Sequence, residues 1–130
     1  MNYKVLSLCL GIALFASIGP FIFNQFFMKS SFQYSDYESL RAADTKSWLP
    51  DYIPISSINI KEEQNHDSGY FSATFEYQVK DKSSVQKVCI KVFEEADTTK
   101  YVCPSSETRT NILILGTNGQ ARFTSNPTNI

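Results

Sequence analysis

Histidine occurs once, at His66, and cysteine three times, at Cys9, Cys89 and Cys103, with no Cys-x-x-Cys spacing. A metal site or a redox pair would have too few ligands at the right separation, so no cofactor is expected. The five glycines form no phosphate-cradling loop, and no Gly-x-Ser-x-Gly elbow occurs; the common nucleotide-binding and α/β-hydrolase signatures are absent. Neither sign of charge is in excess, with twelve basic against thirteen acidic residues in a chain of 130. Nucleic acid recognition needs a clustered positive footprint, and nucleic acid is therefore not an expected partner. The longest like-charge runs are the pairs Glu62-Glu63 and Glu94-Glu95, which read as solvated loop or edge positions. No repeat of solenoid or propeller period is present.

The chain does hold one long apolar run. Val5 to Phe23, VLSLCLGIALFASIGPFIF, carries no charge. At about 1.5 Å rise per residue it would measure roughly 28 Å, close to the hydrocarbon thickness of a bilayer. Phe26, Phe27, Met28 and Lys29 follow, residues suited to the interfacial zone. The rival reading is a cleaved signal peptide, whose apolar region is shorter and ends in small residues. The best cleavage candidate, Ser17-Ile18-Gly19, is followed at once by Pro20. Residues 1–28 are thus expected to be an uncleaved signal-anchor spanning the inner membrane through residues 5–23. Residues 29–130 would form one small domain on the extracytoplasmic (periplasmic) side, with secretion after cleavage as the alternative.

Cys9 lies in the span, where a thiol behaves as a small hydrophobe. Cys89 and Cys103 remain as a pair in the soluble part, and in an oxidising compartment an even pair reads as a disulfide.

Along the domain, Ser35 and Glu38 have capping-box spacing and predict a short helix from Asp36 to Lys46. Trp48 to Pro54 holds two prolines and four large apolar side chains, and reads as a rigid, packed connection. Ile55 to Lys61 predicts a strand with Ile58 and Ile60 on one face, followed by a polar turn from Glu62 to Gly69. Phe71, Ala73, Phe75, Tyr77 and Val79 alternate with polar residues, the signature of a half-buried strand; the two segments should pair as a hairpin. Ser83 to Ala96 fits both a helix and a strand, since Val85, Val88, Cys89, Val92 and Phe93 have helical spacing while Val88, Ile90 and Val92 alternate with lysines. The helix is slightly favoured; a strand would set Cys89 opposite Cys103. Asn111 to Leu115 reads as a buried strand, Thr117-Asn118-Gly119 as a hairpin turn, and Gln120 to Thr124 as its return, with Asn126 to Ile130 fraying. The expected fold is α+β: an N-terminal transmembrane helix, one short helix, then a small antiparallel sheet with a possible further helix packed on it.

The run WLPDYIPISSINI (Trp48 to Ile60), a polar turn, and GYFSATFEY (Gly69 to Tyr77) resembles a group of small uncharacterised bacterial exported or membrane-anchored proteins. These share a Trp-Leu-Pro then Ile-Pro segment, a short strand, a polar turn and a strand of alternating aromatics. Ser57 stands where that group usually has alanine. The resemblance covers about 30 residues. It implies a small α+β envelope domain and no reaction.

Any acid–base chemistry would have to use His66, whose neighbours Asp67 and Ser68 are adjacent in sequence, whereas catalytic sets converge from separate elements. His66 reads as a turn residue. The expected function is therefore a non-enzymatic, membrane-anchored envelope protein that binds another protein, as an inhibitor, immunity factor or assembly accessory does. The alternative is a small extracytoplasmic hydrolase using His66.

Overall fold

The computed structural model describes residues 29–43 and 46–128; the expected span at residues 5–23 lies outside them. Strand β1 (Lys29–Asp36) leads into helix α1 (Tyr37–Ala42), and an irregular segment crosses to β2 (Ile58–Asn65) and β3 (Phe71–Glu76). Helix α2 (Ser83–Val88) precedes β4 (Ile90–Glu94), β5 (Thr98–Cys103), β6 (Arg109–Gly116) and β7 (Gln120–Pro127). All seven strands form one antiparallel sheet in the order β1-β2-β3-β7-β6-β5-β4. The described residues are therefore mainly β, not α+β. Both helices have only six residues, and among the described residues no helix is long and apolar enough to cross a membrane.

Side chains alternate across a strand, and here one sheet face is buried. Its middle row runs Phe32, Glu62, Ala73, Phe123, Leu113 and Tyr101 across six strands. Phe71, Phe75 and Leu115 lie in the rows on either side. Leu40 of α1, Val85 of α2, and Leu49, Ile53 and Pro54 of the crossing segment are all buried against this core. The Trp48 to Pro54 segment is packed as its composition implies. Tyr37 Oη ties α1 to it by donating to the Asp51 carbonyl at 2.7 Å, and Arg41 Nη2 donates to that of Leu49 at 2.9 Å.

Several boundaries differ from expectation for physical reasons. Asp36, not Ser35, caps α1: its backbone is still extended and its carboxylate accepts the Ser39 N–H at 2.8 Å. That N–H is otherwise without an intrahelical partner. The helix stops at Ala42, short of the expected Lys46. The first hairpin strand begins at Ile58, not Ile55, and a bulge between Ile58 and Lys61, with Asn59 at φ 49°, changes the strand's phase. Ile58 is left exposed and Ile60 turns inward. Glu62 and Gln64 then also point inward, so Glu62 is a buried strand residue, only 1% exposed, rather than a solvated turn position. Ser83 to Ala96 is both things in succession, one helix and one strand. The final strand holds its pairing to Pro127, with Arg109 opposite it, rather than fraying from Asn126.

Candidate functional site

The third row of the buried face differs in character from the middle one. Reading across, it holds Ser30, Gln64, Phe71, Ser125, Asn111 and Cys103. Trp48 lies over this polar end of the sheet, its ring 6.0 Å from that of Phe71 and 5.3 Å from the His66 ring in an edge-on contact. A cleft of about 340 Å³ opens beside Trp48 and Phe71, walled by Ser105, Arg109, Asn111 and Ser125. Arg109 reaches across β7, its Nε donating to Ser125 Oγ at 2.9 Å and its Nη2 to the Gly69 carbonyl. Gly69 adopts φ +71°, which a side chain would strain, and a Cβ there would stand 3.5 Å from Arg109 Nη1. The Asn111 amide donates to the Pro104 carbonyl at 2.9 Å. Tyr52 packs partly into the core beside it; burial pushes its phenol up to about 12, with Asn111 pulling the other way.

His66 is exposed in the turn after β2. Its Nε2 and Ser30 Oγ share a hydrogen bond of 3.0 Å. Asp67 and Ser68 do not join this pair; their backbone N–H groups instead donate to Asn65 Oδ1. Ser30 was invisible to sequence reasoning because it is 36 positions away, and only the β1–β2 pairing brings it near. Among the described residues no group of three or more His, Cys, Asp or Glu side chains is placed to hold a metal ion.

Glu62 forms a second polar cluster. Ser47 Oγ and Gln64 Nε2 donate to its carboxylate, and Gln64 also donates to the Lys46 carbonyl at 2.6 Å. Burial raises the Glu62 pKa; the bonds from Ser47, Gln64 and the Trp48 backbone, and the Arg41 charge, oppose that shift. This cluster pins the start of the crossing segment, and hence Trp48, to the sheet. Cys89 and Cys103 lie opposite one another at the far end and form a disulfide, with Cα atoms 4.2 Å apart.

Residues 29–76 match the family model of the YbbD head domain. The match begins with the first residue of β1 and ends with the last of β3, so the head-like stretch is the first three-stranded unit of the sheet with α1 and the crossing segment. It covers less than half of the chain. It bears on relatedness over that unit and does not single out the Trp-Leu-Pro motif. No curated protein and no solved structure matches the chain.

The exposed sheet face is divided in the same place. Over the YbbD-head-like strands its outward residues are, apart from Ile58, polar or charged: Lys61, Glu63, Ser72, Thr74 and Glu76. A shallow hollow of about 540 Å³ there is lined largely by such groups. At the opposite end, Ile90, Val102 and Ile112 form a row across β4, β5 and β6, and Phe93 stands beside it. Ile90 is 71% exposed, Phe93 54% and Val92 51%. Every residue of β4 is exposed, and β4 is an edge strand with one neighbour.

Proposed function

We propose that this chain is a non-enzymatic, membrane-anchored envelope protein that binds another protein through the free edge of β4 and the apolar face beside it. The observation that carries this reading is the exposure of Ile90, Val92 and Phe93 on an edge strand whose outer side has no neighbour among the described residues. Sheet edges offer unpaired N–H and C=O groups, and proteins usually blunt them. Here the charged Lys91 and Glu94 pair with each other at 2.9 Å, while Ile90 and Phe93 stand exposed beside them. A partner's extended segment added as an eighth strand would gain main-chain bonds from the edge and side-chain pockets from the apolar row. The apolar run at residues 5–23 supports a single-pass anchor in the inner membrane. The disulfide supports an extracytoplasmic domain, since such bonds persist in oxidising compartments; the match to the YbbD head domain is compatible with that placement. Release after signal cleavage is the alternative location. A photo-reactive residue at position 93 of the full chain, in its native membrane, should give a discrete protein adduct that is lost in Ile90→Lys. The same probe at Gln33, on the opposite edge strand, should give none. Equal adducts from both edges would refute the reading.

The Ser30–His66 contact favours one second reading, a small hydrolase in which His66 takes the Ser30 proton. A working base also needs an orienting group and an oxyanion site, and no carboxylate bonds the His66 ring among the described residues. Fluorophosphonate labelling decides the matter: the binding reading predicts no adduct at Ser30, and labelling abolished by His66→Ala would establish the hydrolase.

A further inference from the structure

The cleft beside Trp48 contains a cation without an anion. Arg109 is half-buried, and its partners are the Ser125 hydroxyl and the carbonyls of Ser125 and Gly69, all neutral oxygens. The one ion pair among the described residues is Lys91 with Glu94, on another part of the sheet. Removing a guanidinium from water without a counter-charge is costly; the three neutral bonds offset part of that cost and leave the charge uncompensated. Nη1 makes no hydrogen bond among the described residues. Trp48 lines the same cleft and is 39% exposed. The volume, about 340 Å³, falls at the lower end of ligand pockets, roughly 300–1,000 Å³.

We infer that this cleft is a binding site for a small carboxylated ring: the carboxylate pairs with the Arg109 guanidinium, and the flat apolar side of the ring lies on Trp48. This site lies apart from the β4 edge and stands whether or not that edge binds a protein. A uronic acid and an aromatic acid share the required chemistry, and the experiment separates them.

Trp48 is the only tryptophan in the sequence, so tryptophan fluorescence reports on a residue that lines the cleft. The full chain in detergent would be titrated with galacturonate, benzoate and galactose. At least one acid should give a saturable change and bind about tenfold or more tighter than galactose, the scale of one charge-assisted hydrogen bond. Tighter binding of galacturonate than benzoate assigns the site to saccharides, and the reverse order assigns it to aromatic acids. Arg109→Gln should remove the advantage of the acid. If that variant does not fold, sodium chloride decides on the unaltered chain: it should weaken the acid and leave galactose unchanged. Galactose binding as well as either acid, absence of saturation by both acids, or indifference of acid binding to salt would overturn the inference.

Discussion

Glu62 occupies the middle row of the buried face, between Phe32 and Ala73, a position that an apolar side chain would fill at less cost. Burial disfavours its charged form and raises its pKa. The sign of the consequence is fixed: the folded state holds the Glu62 proton more tightly than the unfolded chain. The stabilising contribution of this residue is complete below the ordinary glutamate pKa. It is lost as pH rises from there through the raised, folded value. Asp36 and Glu76 have lowered pKa values, from the Ser39 bonds and from the Asn59 and Gln120 bonds respectively, and act in the opposite direction as pH falls. Glu62→Gln keeps one acceptor oxygen for Ser47, gives up the acceptor of the long Gln64 bond (3.3 Å), and removes the charge. Its melting temperature should exceed that of the natural chain by a few degrees at neutral pH, and the gap should close on acidification. Thermal melts followed by circular dichroism across a pH series would show this. A variant that is less stable at neutral pH would indicate that the charge, with Arg41, contributes more than its burial costs.

At the scale of elements, the disulfide fixes the weakest strand. Cys89 caps the end of α2 and directly precedes β4, while Cys103 ends β5. Apart from the bond, β4 has one neighbouring strand and no buried residue. In the chain-entropy picture a bridge over 14 residues contributes roughly 3 kcal/mol. Replacing both cysteines by alanine should lower global stability by about that amount. It should also raise amide exchange selectively in α2 and β4, leaving β3 and β7 protected; uniform acceleration would contradict this division. The same elements show what the sequence made legible. The alternation from Phe71 and the Asn118-Gly119 turn located β3 and the β6–β7 hairpin because each pattern reports one local geometry. Ser83 to Glu94 carried two overlapping patterns because a helix and a strand meet there, at Cys89. β1 was missed because its inward residues, Ser30, Phe32 and Tyr34, are only half-buried at a sheet edge, so its apolar period is faint. Glu62 and Gln64 concealed the inward phase of β2, since polar side chains on a buried face invert the expected pattern.

For the molecule as a whole, two meanders make one sheet: β1 to β3, the part that matches the YbbD head domain, and β4 to β7. The His66–Ser30 contact sits in the first, the polar cleft straddles the seam between Phe71 of the first and Arg109, Asn111 and Ser125 of the second, and the apolar edge belongs to the second. Neither site was legible beforehand. The cleft draws Trp48, Phe71, Arg109 and Ser125 from four separate parts of the chain. The apolar row exists only because β4, β5 and β6 align Ile90, Val102 and Ile112. What the sequence did offer was each ingredient singly: one tryptophan in a packed segment, and a cysteine pair spaced to close a hairpin.

The two meanders meet along a single seam, where β7 pairs with β3 from Phe71–Ser125 to Glu76–Gln120. This strand comes after all the others in sequence yet lies at the centre of the sheet. The strands on both sides of the sheet can therefore each pair among themselves before the piece that joins them is in place. Until β7 is paired, β3 displays a bare edge beside Phe71 and Phe75, and β6 one beside Leu113 and Leu115. A chain in which β7 has not yet docked holds two half-sheets with nothing between them, so the docking of this one strand is the step that closes both open edges to wrong partners.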